Sequence, residues 1–171
     1  MLSKTSIIIL GLLVERNMSA YDMCSRIDSM NMKYWHSIGA TTLYETCIRL
    51  QKKGLIATTE ESDRKTMYEL TARGLSELQE TIRELFNRVD FDSIWFTLAY
   101  MFSGVIPKDE LIKLKEQRME LLCDYEIGIQ KQLNKMKEMG IPFERVSAVQ
   151  RMYQIVLVEK EFLMSIEHIC K

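Results

Sequence analysis

The chain has 171 residues, 47% of them hydrophobic and 27% charged, and its formal net charge at pH 7 is −1. This composition is ordinary for a soluble globular protein of one domain, or of a small domain with an accessory element. The near-zero net charge excludes a large surface that binds polyanions without specificity. Only 7 Gly and 2 Pro interrupt a sequence rich in good helix formers, so the chain is expected to be mainly α-helical.

Two helices are predicted at the start of the chain. Apolar residues recur over residues 4–16, where Gly11 allows a neighbouring element to pack closely. Ser19 has the character of an N-cap and Asp22 stands at position N3, which predicts a capping box at the start of the second helix. That helix continues through Tyr21, Met23, Cys24 and Ile27. A loop over residues 31–38 follows it.

The third predicted helix covers residues 40–53 and has two different faces. Leu43, Cys47 and Leu50 share one face and are expected to be buried. Gly54 supplies the left-handed residue that ends the helix, and the apolar residue after it is expected to pack back on Leu50. The outer face is too mixed for a core, and too aromatic and β-branched for an ordinary solvated surface. It carries Thr41, Glu45, Ile48 and Lys52, with Tyr44 beside them.

The sequence pattern changes after the third helix. Residues 55–60 and 65–70 read as two strands across a polar turn at 61–64, which together predict a β-hairpin. Thr71 is expected to cap a fourth helix that runs towards Arg88. Three helices, a hairpin and a helix form the winged-helix variant of the helix-turn-helix. In that fold the third helix lies in the DNA major groove.

The second half of the chain is predicted to be entirely helical. A short apolar helix at 94–102 precedes a long helix at 108–139 and a final helix at 143–170. The long helix has a nearly heptad stripe whose expected partner is the same helix of a second chain. The stripe consists of Ile112, Met119, Leu122, Ile129, Leu133 and Met136. We therefore predict a mainly α fold with a small β-hairpin, consisting of a winged-helix domain at 1–90 and a helical dimerisation domain at 91–171.

The chain resembles the PadR-like family of winged-helix transcriptional regulators over essentially its whole length, and the short motifs that carry the resemblance lie in its first half. The matching motifs are Ile9–Leu13, Ser19–Asp22, Thr42–Tyr44, Arg49-Leu50, Gly54–Ile56, Arg64-Lys65, Tyr68, Leu70-Thr71 and Gly74. The resemblance implies a homodimer formed through the C-terminal helices, and a response in many members to small aromatic or cationic compounds. The sequence departs from the family pattern before Thr42, at Ile48 where a basic residue is common, and at three acidic residues of the wing, Glu60, Glu61 and Asp63.

The predicted DNA-binding residues lie on the third helix and at the hairpin tip. They are Thr41, Thr42, Tyr44, Glu45, Ile48, Lys52, Arg64 and Lys65. Hydroxyl and N–H groups in the first turns of a helix can reach phosphate oxygens. Each assignment has a structural alternative: Tyr44 could pack on the wing, Lys52 could only complement the helix dipole, and the two basic residues at the tip could belong to a solvated turn.

Aromatic residues outside the third helix suggest a ligand pocket. Trp35, Trp95, Phe96 and Tyr100, together with the methionines, could surround a flat aromatic compound, although core packing is the favoured interpretation. The sequence contains no catalytic or nucleotide-binding motif, and its scattered cysteines indicate neither a zinc site nor disulfides. We therefore expect no enzyme activity, no cofactor and no metal, and a cytoplasmic protein, because the apolar run at 6–14 is too short to span a bilayer.

These observations favour a homodimeric transcriptional regulator that binds promoter DNA, acts as a repressor and is released by a small aromatic effector. The acidic wing, Ile48 and the near-neutral charge also allow two other hypotheses. One is a winged-helix module that binds another protein and has lost its DNA surface. The other is a dimer that binds a small molecule without binding DNA.

Overall fold

A computed structural model describes residues 1–30, 32, 36–62, 65–92 and 94–166, with the backbone alone at 60–62 and 65. The chain divides into two compact units. The N-terminal unit consists of Met1–Glu84 and Ile94–Pro107, and the C-terminal unit consists of Leu85–Ser93 and Lys108–Lys171. The division predicted near residue 90 therefore differs from the observed one, because residues 94–107 belong to the N-terminal unit.

The N-terminal unit has the order of elements expected for a winged helix. Its elements are α1 (Lys4–Glu15), β1 (Met18–Ser19), α2 (Ala20–Ser29), α3 (Ala40–Lys52), β2 (Ile56–Ser62), β3 (Lys65–Leu70), most of α4 (Ala72–Phe86) and α5 (Ile94–Met101). The three strands form an antiparallel sheet in the order β1-β3-β2. The predicted fold class is confirmed. The sequence missed β1, because two residues are too few to show a period.

Helix α1 is the centre of the N-terminal unit. Every residue from Ser6 to Leu13 is buried, because the helix is apolar on all sides and other elements surround it. The predicted close approach occurs at Gly11, where an added Cβ would lie 2.3 Å from the ring of Phe102. This contact places the segment after α5 directly on α1.

The ends of α2 and α3 follow the predicted local motifs. The Asp22 backbone N–H donates to Ser19 Oγ over 3.2 Å, and the Ser19 N–H donates to the Asp22 carboxylate over the same distance. Gly54 has a φ of +70°, and the Leu55 N–H donates to the Leu50 carbonyl over 3.0 Å. Both the capping box and the Schellman end of α3 are confirmed, so the two helices of the helix-turn-helix have well-defined ends.

The C-terminal unit consists mainly of α6 (Lys108–Glu138) packed against α7 (Phe143–Ile166). Residues 167–170, predicted to continue the final helix, lie outside the described residues. Leu122, Ile129 and Leu133 of the predicted dimerisation stripe are buried within this unit. The expected partner of this stripe was the same helix of a second chain. In the structure α7 of the same chain packs on α6, and the role of the stripe in dimerisation remains a prediction. Ile112 stays exposed, and the other two members of the stripe are half-buried.

A buried ion pair interrupts the apolar face of α6. Arg118 has 0% of its surface exposed and donates through Nε to Glu159 Oε1 of α7 over 2.6 Å. Its Nη1 group faces the carbonyls of Leu85, Phe86 and Arg88, at 2.7, 3.0 and 2.8 Å. Arg118 therefore supplies donors to the carbonyl end of α4, where helical carbonyls have no partner within the helix. The sequence pattern did not reveal this residue.

Candidate nucleic-acid interface

Helix α3 exposes one face along its whole length. Leu43, Cys47 and Leu50 are buried as predicted, and Thr46 is buried beside them. The Thr46 hydroxyl donates to the Thr42 carbonyl over 2.7 Å, so its polar group is satisfied within the helix. The buried side holds α3 against α1 and α2, and it thereby fixes which residues face outwards.

The first turn of α3 presents polar groups to the outside. Gly39 is the N-cap, with a φ of −71° and a ψ of 148°, and it provides no side-chain hydrogen bond to the turn that follows. The side chains of Thr41 and Thr42 are both exposed in that turn. The start of a helix without a side-chain cap has outward N–H groups at the positive end of the helix dipole. The N–H groups of such a turn can donate hydrogen bonds to a phosphate oxygen.

Tyr44 is 54% exposed on α3. The pKa of Tyr68 on β3 is raised mainly by burial, with further contributions from Cys47 and Tyr44. Tyr44 is therefore within electrostatic range of Tyr68 on β3. Its exposure leaves the edge and hydroxyl of the ring accessible to a partner, and its contact with DNA remains a prediction.

The remaining predicted residues of α3 differ in exposure. Glu45 and Lys52 are exposed, whereas Ile48 is half-buried. Lys52 lies in the last turn, where a cation also complements the helix dipole. Arg49, which the prediction did not include, is exposed and donates to Thr46 Oγ1 over 2.9 Å. The assignment of these side chains to DNA contact remains a prediction.

Tyr21 is a further candidate, which the predicted DNA-binding residues do not include. It continues the helix as predicted, but unlike Met23 and Ile27, which are buried, it is 70% exposed. The capping box at Ser19 fixes the first turn in which Tyr21 stands. Tyr21 stands two and six residues before Met23 and Ile27, so helical spacing places it away from their buried face.

The wing is formed by β2 and β3. Thr58 pairs with Tyr68 and Thr59 with Met67, and the register shifts between Thr59 and Ser62. Arg64 lies outside the described residues, and Lys65 begins β3 opposite Ser62. The hairpin is thus confirmed as an element, while the two basic residues at its tip remain predicted DNA contacts.

Three of the aromatic residues predicted to bind a ligand, Trp95, Phe96 and Tyr100, lie on α5. Phe96 is buried, and its ring centroid lies 6.3 Å from that of Tyr100. Trp95 is half-buried, and Lys4 Nζ lies 5.0 Å from the centre of its ring, in cation–π geometry. Trp35 lies outside the described residues. The described members of this group thus contact neighbouring protein side chains, and their role in ligand binding remains a prediction.

The thiol of Cys47 lies in the core behind α3. Burial, with a smaller contribution from Cys24, raises its pKa to about 12. A thiol with so high a pKa is protonated at neutral pH, and the thiolate is the reactive form of cysteine. Cys47 is therefore a packing residue of α3 and not a nucleophile.

Neither a metal site nor a membrane-spanning segment is found in the described part of the chain. No group of at least three His, Cys, Asp or Glu side chains there is arranged to hold a metal ion. No helix within the described ranges is both long enough and apolar enough to cross a bilayer.

Residues 9–80 match the model of the transcriptional regulator PadR-like family. This segment contains α2, α3, the sheet and much of α1 and α4. It therefore includes the exposed face of α3 and the wing described above. No significant match exists among proteins of curated function.

Several solved structures of transcriptional regulators are similar to the chain. A regulator from Clostridium thermocellum is 30% identical, with 47% of this chain and 78% of that chain covered and a TM-score of 0.42. Bacillus subtilis PadR in complex with operator DNA is 21% identical, with 94% of both chains covered and a TM-score of 0.39. The same protein in complex with p-coumaric acid is 20% identical, with 95% of this chain and 93% of that chain covered and a TM-score of 0.41.

Sequence similarity, and not superposition, carries the assignment, because these TM-scores lie below 0.5. The family match covers the helix-turn-helix and the wing, and the motifs from Ile9 to Gly74 fall within it. The chain belongs to the PadR-like family of transcriptional regulators.

Proposed function

We propose that this transcriptional regulator binds operator DNA as a homodimer and represses transcription by occupying a promoter. The observation that carries the proposal is the first turn of α3, where Thr41 and Thr42 are exposed next to an N-cap without a side-chain hydrogen bond. Phosphate contacts in such a turn fix the register of a helix in the major groove, where other side chains can read bases.

Three exposed side chains extend this surface beyond the first turn. Tyr44 stands one turn further along α3, Tyr21 stands at the start of α2, and Lys52 lies near the end of α3. A hydroxyl-rich surface suits a protein with a net charge of −1, because it binds phosphates by hydrogen bonds and helix N–H groups more than by bulk charge. Exposed Glu45 fits contact with the amino group of a cytosine better than contact with a phosphate.

The homodimer is supported by apolar side chains that α6 and α7 leave uncovered. Phe143 is 79% exposed and Val158 is 64% exposed, and Phe162 and Met164 of α7 are also exposed. Large exposed apolar side chains on neighbouring turns are typical of protein interfaces. A two-fold dimer would bind two half-sites about 34–36 Å apart, or a multiple of that distance.

The effector and the cytoplasmic location are proposed from the family and from a related structure. Bacillus subtilis PadR has been solved with p-coumaric acid, and a small aromatic effector is proposed here by analogy. Such an effector would release DNA by binding one of two dimer geometries more tightly. A regulator of promoters acts in the cytoplasm, and the proposal assigns this chain no catalytic step.

The first test is the fluorescence anisotropy of a labelled duplex from the region upstream of the protein's own gene. A scrambled duplex is measured beside it, and each is measured at two salt concentrations. We expect the native duplex to bind more tightly, with an affinity that falls as salt rises, because phosphate contacts release counterions. Weak and equal binding of both duplexes would contradict binding to this operator and favour the protein-interaction module.

The Tyr44→Ala variant tests the assigned surface. We expect it to weaken binding to the native duplex about tenfold, equivalent to roughly 1.4 kcal/mol. Tyr125→Ala is the matched control, because it removes an exposed tyrosine from α6. Equal affinities of the two variants would remove Tyr44 from the interface.

A further inference from the structure

A cavity of about 530 Å³ opens in the N-terminal unit at the end of α3 opposite to Thr41 and Thr42. Its walls come from the start of α1, the last turn of α3 and the first turns of α4. The volume lies within the range typical of small-molecule sites. None of the α3 residues proposed to bind DNA lines this cavity, although Lys52 is a chain neighbour of Lys53 in its wall.

Three basic side chains line this cavity. Arg49 and Lys53 stand four residues apart and share one face of α3, and Arg73 reaches the cavity from the first turn of α4. Glu77, one turn further along α4, is the carboxylate among the lining residues. Three cationic side chains against one carboxylate leave a formal surplus of two positive charges among the side chains of the lining.

These charges are not neutralised by one another. In the part of the chain that the structure describes, Lys53, Arg73 and Glu77 take part in no ion pair. Arg49 uses Nη2 to donate to Thr46 Oγ1 over 2.9 Å, and a guanidinium has further N–H groups to offer. Like charges collected around one depression repel each other, and a bound anion would remove that repulsion.

The wall formed by the start of α1 also favours an anionic ligand. Ser3 caps α1 and its Oγ accepts the Ser6 N–H over 3.2 Å, and both serines line the cavity. The positive end of the α1 dipole therefore lies at this wall. Buried Leu50 and Leu55 add apolar surface to the lining, which a ligand with a short carbon skeleton can cover.

We propose that this cavity binds a small dianion with two nearby negative charges, either a phosphate ester or a short dicarboxylate. The two negative charges match the surplus of the lining, and the guanidinium groups of Arg49 and Arg73 suit bidentate contact with phosphate or carboxylate oxygens. The ligand would contact α1, α3 and α4 at once.

The test is isothermal titration calorimetry of the full chain without DNA, with inorganic phosphate and succinate as probes at constant ionic strength. We expect saturable binding of at least one of them, and the better of the two identifies the anionic group. In Lys53→Gln/Arg73→Gln the dissociation constant should rise at least tenfold. The matched control is Lys131→Gln/Lys135→Gln, which removes the same charge from exposed positions of α6 and should bind like the wild type.

Two results would overturn the proposal: no saturable binding of either probe, or an equal loss of affinity in the control variant. Far-UV circular dichroism checks that the variants fold, which the exposure of Lys53 and Arg73 favours. If the double variant is unfolded, Arg73→Gln alone gives the same comparison. The NMR resonance of the Gly54 amide should shift on titration, because Gly54 lies in the chain between two lining residues, Lys53 and Leu55. Because DNA is absent, the outcome is independent of operator binding.

Discussion

At the scale of single residues, close approaches and a buried charge determine how side chains pack within each unit. An added Cβ at Gly74 would lie 2.0 Å from the Leu55 carbonyl oxygen and 2.9 Å from Leu70 Cδ1. No side chain fits there, because the Leu55 carbonyl is backbone and cannot move away without displacing the chain. Gly74 thus lets the start of α4 lie directly against the chain that leaves α3.

We predict that Gly74→Ala destabilises the protein by about 1–3 kcal/mol, the usual cost of overpacking a core. The measurement is the free energy of unfolding in urea. Gly128→Ala is the control, because no heavy atom lies within 4 Å of an added Cβ at Gly128 in α6. This control should raise stability by roughly 0.5–1 kcal/mol, since alanine is the better helix former. The same sign for both variants would contradict the prediction.

The buried ion pair gives a prediction that depends on pH. Arg118→Met would leave Glu159 buried without its cation and the carbonyl end of α4 without its donor, at a cost of about 3–5 kcal/mol near neutral pH. Burial raises the pKa of Glu159, and the Arg118 charge and hydrogen bond oppose that rise. Without Arg118, the pKa of Glu159 should rise further.

The raised pKa of Glu159 decides how the stability of the variant changes with pH. A carboxyl whose pKa is higher in the folded state contributes stability that is complete below its unfolded pKa, about 4.3, and is lost as the pH rises through its folded pKa. The deficit of Arg118→Met should therefore be smaller at about pH 5 than at about pH 8. The double variant Arg118→Met/Glu159→Leu should recover much of the stability lost in Arg118→Met, because it leaves no buried charge. A deficit that does not change with pH would count against this account.

At the scale of elements, the helix-turn-helix is positioned by caps that its own sequence encodes. The Ser19 capping box begins α2, the Thr71 hydroxyl accepts the Gly74 N–H over 3.0 Å to begin α4, and Gly54 ends α3. Ser19 also belongs to β1, where it pairs with Met67 of β3. One residue thus joins the start of α2 to the sheet.

We predict that Ser19→Ala destabilises the protein by about 1 kcal/mol, the typical cost of losing an N-cap. Ser25→Ala is the matched control, because Ser25 is exposed within α2 and alanine is the better helix former there. Thermal unfolding followed by far-UV circular dichroism compares the two. A melting temperature for Ser19→Ala at or above that of Ser25→Ala would show that the cap contributes nothing.

At the scale of the whole molecule, the proposed dimer surface is the apolar side of α7 that α6 does not cover. We predict that Val158→Asp weakens the homodimer at least tenfold, equivalent to about 1.4 kcal/mol, because a buried carboxylate without a partner is costly. Light scattering coupled to size exclusion measures the mass over a range of concentrations. Val14→Asp is the control, since Val14 is an exposed valine of α1. A wild type that is monomeric, or a Val158→Asp dimer as tight as the wild type, would reject this surface.

Sequence reasoning was most accurate where the determining contacts are a few residues apart. The Ser19–Asp22 cap, the turn at Gly54 and the buried face Leu43–Cys47–Leu50 were all predicted from local spacing. It was least accurate where a partner lies far along the chain. It assigned the α6 stripe to a second chain, although α7 of the same chain packs on α6 and Leu122 is buried within the chain.

The sequence by itself therefore determined the winged-helix order of elements, their caps and the polar outer face of α3. Capping, helix periodicity and strand alternation depend on neighbours within about one turn. Only the tertiary structure decided that Arg118 meets Glu159 across 41 positions, that Met18 pairs with Tyr68, and that Arg49, Lys53 and Arg73 surround one cavity. No local pattern encodes such contacts, because they exist only after distant elements have packed.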